Sequence, residues 1–216
     1  MNGSKLTSKK FLFPLFEYNR IYRIAHGILQ DIGKVEKACI FFASLGSYLL
    51  NKHYKIPSRP VAGAFALCVN DEPDVACFGR QGDQGLSSDP EAFHMWIQTE
   101  THIIDFMAPV FPEAFAKYNP PASITRKMLQ KRLGDEAANA SELKAAGDFF
   151  TLPDPELTEK LLDQFLETPG NTDLIAIGEK WFGKRGAKQK PLISMTNDLG
   201  QIYHLNLPKH AVLGSW

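Results

Sequence analysis

Cysteine is scarce in this chain: three in 216 residues, Cys39, Cys68 and Cys77, with no Cys-x-x-Cys pair. That excludes a zinc ribbon and a thioredoxin-type motif, and an odd, sparse set of thiols argues for a reduced, cytoplasmic protein. No apolar run approaches the roughly 20 residues that span a bilayer. Lys9-Lys10 leads only into Phe11-Leu12-Phe13-Pro14-Leu15-Phe16, too short and too soon broken by proline for a secretory signal. An excess of one charge is missing too. The 24 basic and 24 acidic residues cancel, which leaves no electrostatic reason to expect nucleic acid or an anionic membrane as partner. There is no HExxH and no clustered ligand set, so neither a metal nor another cofactor is expected. Repeats and low-complexity tracts are absent as well.

What is present is a chain that is 44% hydrophobic, enough for one globular α+β domain with its own core. Ile21, Ile24, Ala25, Ile28 and Leu29 give residues 17–31 an amphipathic helical stripe. From about Glu36 to Lys52 a second helix is apolar on nearly every face, which predicts the centre of the domain. Cys39 falls on its first or second turn. Strands are expected at Val61–Val69, Val75–Phe78, Ala92–Gln98 and His102–Met107, joined as an antiparallel meander. If Val69 pairs with Asp74, Cys68 faces Val75 and Ala66 faces Cys77, so those two thiols are offset, small core residues. The glycine-rich stretch Gly79–Pro90 reads as a mobile surface loop delivering the chain into the next strand.

Beyond Pro112 the pattern turns helical, with candidates at Pro112–Tyr118, Ile124–Leu133, Glu136–Ala146, Glu156–Leu166 and Asp173–Phe182. Asp154-Pro155 is a clear helix start. Leu192–Thr196 and Gln201–Asn206 read as a closing hairpin around Asn197–Gly200. A core over about 17–110, a helical extension over about 111–190 and a hairpin over 191–207 follow. Lys184-Arg185-Gly186-Ala187-Lys188-Gln189-Lys190 reads as a solvated loop, with a polyanion-binding patch as the alternative.

Three residues stand out for chemistry: Cys39 at a helix start, His94 on a strand and Asp105 on the next. A thiol, an imidazole base and a carboxylate that orients it make an activated nucleophile. The helix N-terminus and an imidazolium would both favour the thiolate. Paired positions in an antiparallel hairpin have a constant sum. A two-residue loop at Thr99-Glu100, or a four-residue loop pairing Ile97 with His102, puts His94 directly opposite Asp105, with Cβ atoms about 5 Å apart. Thr-Glu is a poor type I′ sequence, which favours the longer loop. Trp96 shares the His94 face and reads as core. His102 falls on the other face, which disfavours a two-histidine metal site. Arg59 reads as a surface residue.

The cysteine helix, then Ile56-Pro57-Ser58-Arg59-Pro60-Val61-Ala62-Gly63, then His94-Met95-Trp96 and Ile103-Ile104-Asp105, resembles the transglutaminase-like branch of the papain-like cysteine enzymes. It also resembles bacterial domains of unknown function placed on that fold. The resemblance covers about residues 30–110. It implies a central cysteine-bearing helix packed on an antiparallel sheet, with Cys39 as nucleophile, His94 as base and Asp105 as its orienting partner. It further implies a thiol hydrolase or acyl transferase acting on a peptide, amide or acyl donor, with an inactive scaffold on the same fold as the alternative. Gly33, rather than a glutamine, stands six residues before Cys39, so the oxyanion donor is unassigned. Oligomeric state is not legible.

Overall fold

The computed structural model describes residues 10–30, 33–35, 38–72, 74–83, 85–116 and 124–216. Expectations touching Lys9, Glu36, Lys37 and Tyr118 lie outside them.

Two helices open the chain, α1 (Leu15–Leu29) and α2 (Cys39–Leu49). α2 runs on through a π turn at Leu50–Tyr54. Its all-round apolar sequence puts it where expected: it packs against strands on one side and against helices on the other. The amphipathic stripe of α1 is buried, Ile21, Ile24, Ala25 and Ile28 completely.

Strand β1 (Arg59–Cys68) organises the sheet. It pairs antiparallel with β2 (Val75–Phe78), β5 (His94–Gln98) and β8 (Phe149–Pro153). Gly63 pairs with both His94 and Pro153, so β5 and β8 lie on opposite edges of β1. β2 and β8 overlap along Phe65–Leu67, so β2 shares the β5 edge, one step further along. A side chain at Gly63 would run into the Leu152 carbonyl, which is why the crossing of three strands carries glycine. β6 (His102–Asp105) pairs with β5, and β7 (Leu129–Arg132) with β6. The expected offset of Cys68 against Val75 and Ala66 against Cys77 is the observed register. Cys68 is buried, but Cys77 is exposed and is not a core residue.

Several expectations need correction. Gly79–Pro90 is not simply a loop: it holds a small hairpin, β3 (Arg80–Gly82) with β4 (Gly85–Ser87), and Arg80 pairs with Asp89 and Glu91 across its base. Ile124–Leu133 is not a helix. Its helical spacing yields to the need of buried β6 for a partner on its second edge, and Leu129–Arg132 supplies β7. Glu136–Ala146 is irregular apart from a 3-10 turn at Ala140–Glu142, and β8, which was not expected as a strand, follows it. The first candidate helix shortens to α3 (Phe111–Ala114). Residues 111–190 are therefore no purely helical extension, since two of their segments complete the central sheet.

The later helices form where expected, as α4 (Pro155–Leu166) and α5 (Pro169–Phe182). The Asp154 side chain accepts from Leu157 N–H at 2.9 Å, the N-cap that Asp-Pro announces. β9 (Leu192–Thr196) and β10 (Ile202–Asn206) make the closing hairpin. The stretch after it is stitched to α1. Arg23 donates to the Pro208 carbonyl, Tyr22 bonds His210, and Asn19 exchanges two hydrogen bonds with Val212. No helix among the described residues is long and apolar enough to cross a membrane.

Candidate active site

Cys39 occupies the first position of α2, His94 the first of β5 and Asp105 the last of β6. The structure brings all three together, though not by the expected register. The β5–β6 ladder pairs Ile97 with Ile104 and Gln98 with Ile103. The constant sum is 201, not 199. Thr99 causes the difference. Its backbone N–H donates to the His102 carbonyl, and its hydroxyl accepts from the N–H groups of Thr101 and His102. A side-chain hydroxyl thus closes a two-residue loop at Glu100-Thr101 that backbone propensity alone would not favour. His94 and Asp105 become diagonal rather than direct neighbours. The sum stays odd, so both still share one face, and the longer diagonal reach suits an imidazole.

His94 Nε2 bonds Asp105 Oδ2 at 2.8 Å. Asp105 Oδ1 accepts from the Met107 N–H at 2.7 Å, so both carboxylate oxygens are used and the group is fixed in orientation. Tyr18, wholly buried on α1, donates its hydroxyl to the Asp105 backbone carbonyl. His94 and Asp105 are 1% and 2% exposed and Cys39 is 7% exposed. Burial disfavours the imidazolium, but the charge and hydrogen bond of Asp105 and the nearby Cys39 thiol outweigh it, and the pKa is pushed up to about 9. With Nε2 committed to Asp105, Nδ1 is the ring nitrogen left for the Cys39 thiol, and it is buried with no hydrogen-bond partner among the described residues.

Aromatic rings wall the imidazole. Phe78 stacks on it at 4.4 Å and 27°, Phe65 lies at 5.2 Å, and Phe111 meets it edge-on at 5.7 Å. The sequence reading missed Phe78 and Phe111. For Phe78 a signal existed: the register of β2 sets it opposite Phe65, on the face of β1 that also carries Gly63 and hence His94. For Phe111 there was none, because α3 reaches the ring from a distant turn. Trp96 is fully buried core. His102 lies on the opposite face and bonds Thr101. Arg59 is exposed. Among the described residues, no three His, Cys, Asp or Glu side chains gather to hold a metal.

No curated protein matches the chain. A solved structure described as the crystal structure of genomics APC5867 is similar: it is 26% identical, with a TM-score of 0.84, over 97% of this chain and 100% of that one. A family model described as a protein of unknown function matches residues 14–216, so the stretch it covers runs from α1 through the trio and both late sheet strands to Trp216, and the chain belongs to that family, DUF2026.

Proposed function

We propose that the protein is a cysteine hydrolase or acyl transferase of the papain-like and transglutaminase-like kind, with Cys39 as nucleophile. The observation that carries the reading is a single imidazole, with Nε2 held by a carboxylate fixed at both oxygens and Nδ1 left to a thiol. A proton held on His94 up to about pH 9 sets a cation against the sulfur, as a nucleophilic thiolate requires. The Cys39 thiolate attacks the carbonyl carbon of an amide or thioester. The C–N or C–S bond then breaks, and His94 delivers its proton to the departing amine or thiol. Water or an amine next attacks the acyl-enzyme, His94 takes that proton, and the thiolate leaves. The N–H groups of the first turn of α2 lack i−4 partners and are suited to hold the oxyanion.

The burial of all three side chains supports a second reading, an inert scaffold in which the trio is a structural charge network. Iodoacetamide at about pH 6 separates them. The test uses a Cys77→Ser background, which removes the exposed thiol that could compete for label, although burial pushes its pKa up, and buried Cys68 serves as internal control. Peptide mapping is expected to find Cys39 modified first, with His94→Ala cutting its rate by at least tenfold. Cys39 unmodified until the protein unfolds, or modified equally fast without His94, overturns catalysis and leaves the scaffold.

A further inference from the structure

We infer that the chain carries a second binding site, for an amphipathic organic anion, between α5 and the β9–β10 hairpin. A cavity of about 550 Å3 opens there, within the range of small-molecule sites. Ile177, Trp181, Ile193 and Met195 give it an apolar lining, and Lys180, Lys188 and Lys190 stand on its rim. No carboxylate is among its lining residues. Residues 180–197 hold five cationic side chains and no acidic one, in a chain whose charges cancel overall. The three lining lysines make no ion pair among the described residues. Unpaired cations beside an apolar lining select a ligand with an anionic head and an apolar body.

The rim is built rather than adrift. The Trp181 indole N–H donates to the Lys190 carbonyl at 2.8 Å, and the Gln189 amide donates to the Arg20 carbonyl at 2.8 Å. Arg20, itself buried on α1, donates to the carbonyls of Phe182 and Lys184. Leu207 N–H closes onto the Pro191 carbonyl at 2.9 Å. The loop read from sequence as solvated is therefore tied down at both ends, and its lysines sit on fixed backbone, which lowers the ordering cost of binding. The cavity belongs to the helical side of the molecule, where α5 packs on α1 and α2. It is lined by none of the three residues of the proposed active site, so the inference does not rest on catalysis.

Calorimetric titration with decanoate tests it. Saturable one-to-one binding is expected, weakened at least tenfold in the triple variant Lys180→Glu, Lys188→Glu, Lys190→Glu. All three residues are exposed, so the fold should survive, and an unchanged circular dichroism melt checks this. Decyltrimethylammonium, with the same tail and opposite charge, should not bind, and Cys39→Ala should bind decanoate as the wild type does. Ile193→Trp, which fills the cavity without altering charge, should also weaken binding at least tenfold. Absence of saturable decanoate binding overturns the inference. So does binding indifferent to the lysine or Ile193 changes, or a lysine-dependent affinity for single-stranded DNA with none for decanoate, which would make the patch a polyanion surface.

Discussion

His94 holds its proton against its own burial, and that has a consequence for stability. In the unfolded chain a histidine titrates near 6.5; in the folded protein His94 is pushed up to about 9. A raised folded-state value gives stability that is full below about pH 6.5 and is lost as pH rises through about 9. Urea midpoints should therefore fall between pH 6.5 and 9.5. In Asp105→Asn, which keeps the shape but removes the charge, that fall should largely vanish. A wild-type midpoint that rises over this window would refute the charged pair. His26 works the other way. Burial and then His210 hold it down to about 4, so below about pH 6.5 the unfolded chain binds a proton the folded one refuses. At this scale the sequence was informative where parity decided. That His94 and Asp105 share one face was legible because an even loop keeps them there whichever even loop forms. The pairing itself was not, since it hangs on one threonine hydroxyl, and neither was the exposure of Cys77 on a strand that covers only part of β1.

α2 is the element on which the site depends, since it must set Cys39 against a histidine on another layer. Gly46 lies midway along it. A Cβ there would meet Ile97 Cδ1 at 2.7 Å and press into the Phe106 ring, so helix and sheet touch with no room for a methyl group. Gly46→Ala should cost about 1–3 kcal/mol by overpacking, measured by urea unfolding. It should also slow alkylation of Cys39 in the folded state more than that of Cys77, because the helix is lifted from β5. Unchanged stability would mean the layers can part freely. Helices read well where a stop or start signal accompanied the periodicity, as at Asp154-Pro155. They failed at Ile124–Leu133, whose apolar spacing suits a helix while its neighbour required a strand. β8 had a local signature: Phe149-Phe150-Thr151-Leu152 is rich in strand formers and bounded by Gly147 and Pro153. Its role as the second edge of β1 depends on contacts about 85 residues away in sequence, which no local pattern encodes.

For the whole molecule, the segment up to about residue 110 that carries Cys39, His94 and Asp105 is not a unit by itself. β7 covers one edge of β6 and β8 one edge of β1, so a fragment of residues 10–110 would expose two unpaired strand edges. It should show no cooperative thermal transition by circular dichroism, whereas the full chain should melt in one step; a cooperative melt of the fragment would restore the division suggested by the sequence. The stitching of α1 to residues 208–212 has a further consequence, for synthesis. α1 leaves the ribosome well before its hydrogen-bond partners, which are translated some 185 positions later. Elongation can build the pieces, but the tie between α1 and this segment waits until those residues have cleared the exit tunnel. Until then the nascent chain carries Cys39 without its finished surroundings, and a chain stalled before that point would be seen by the cell's chaperones as unfinished.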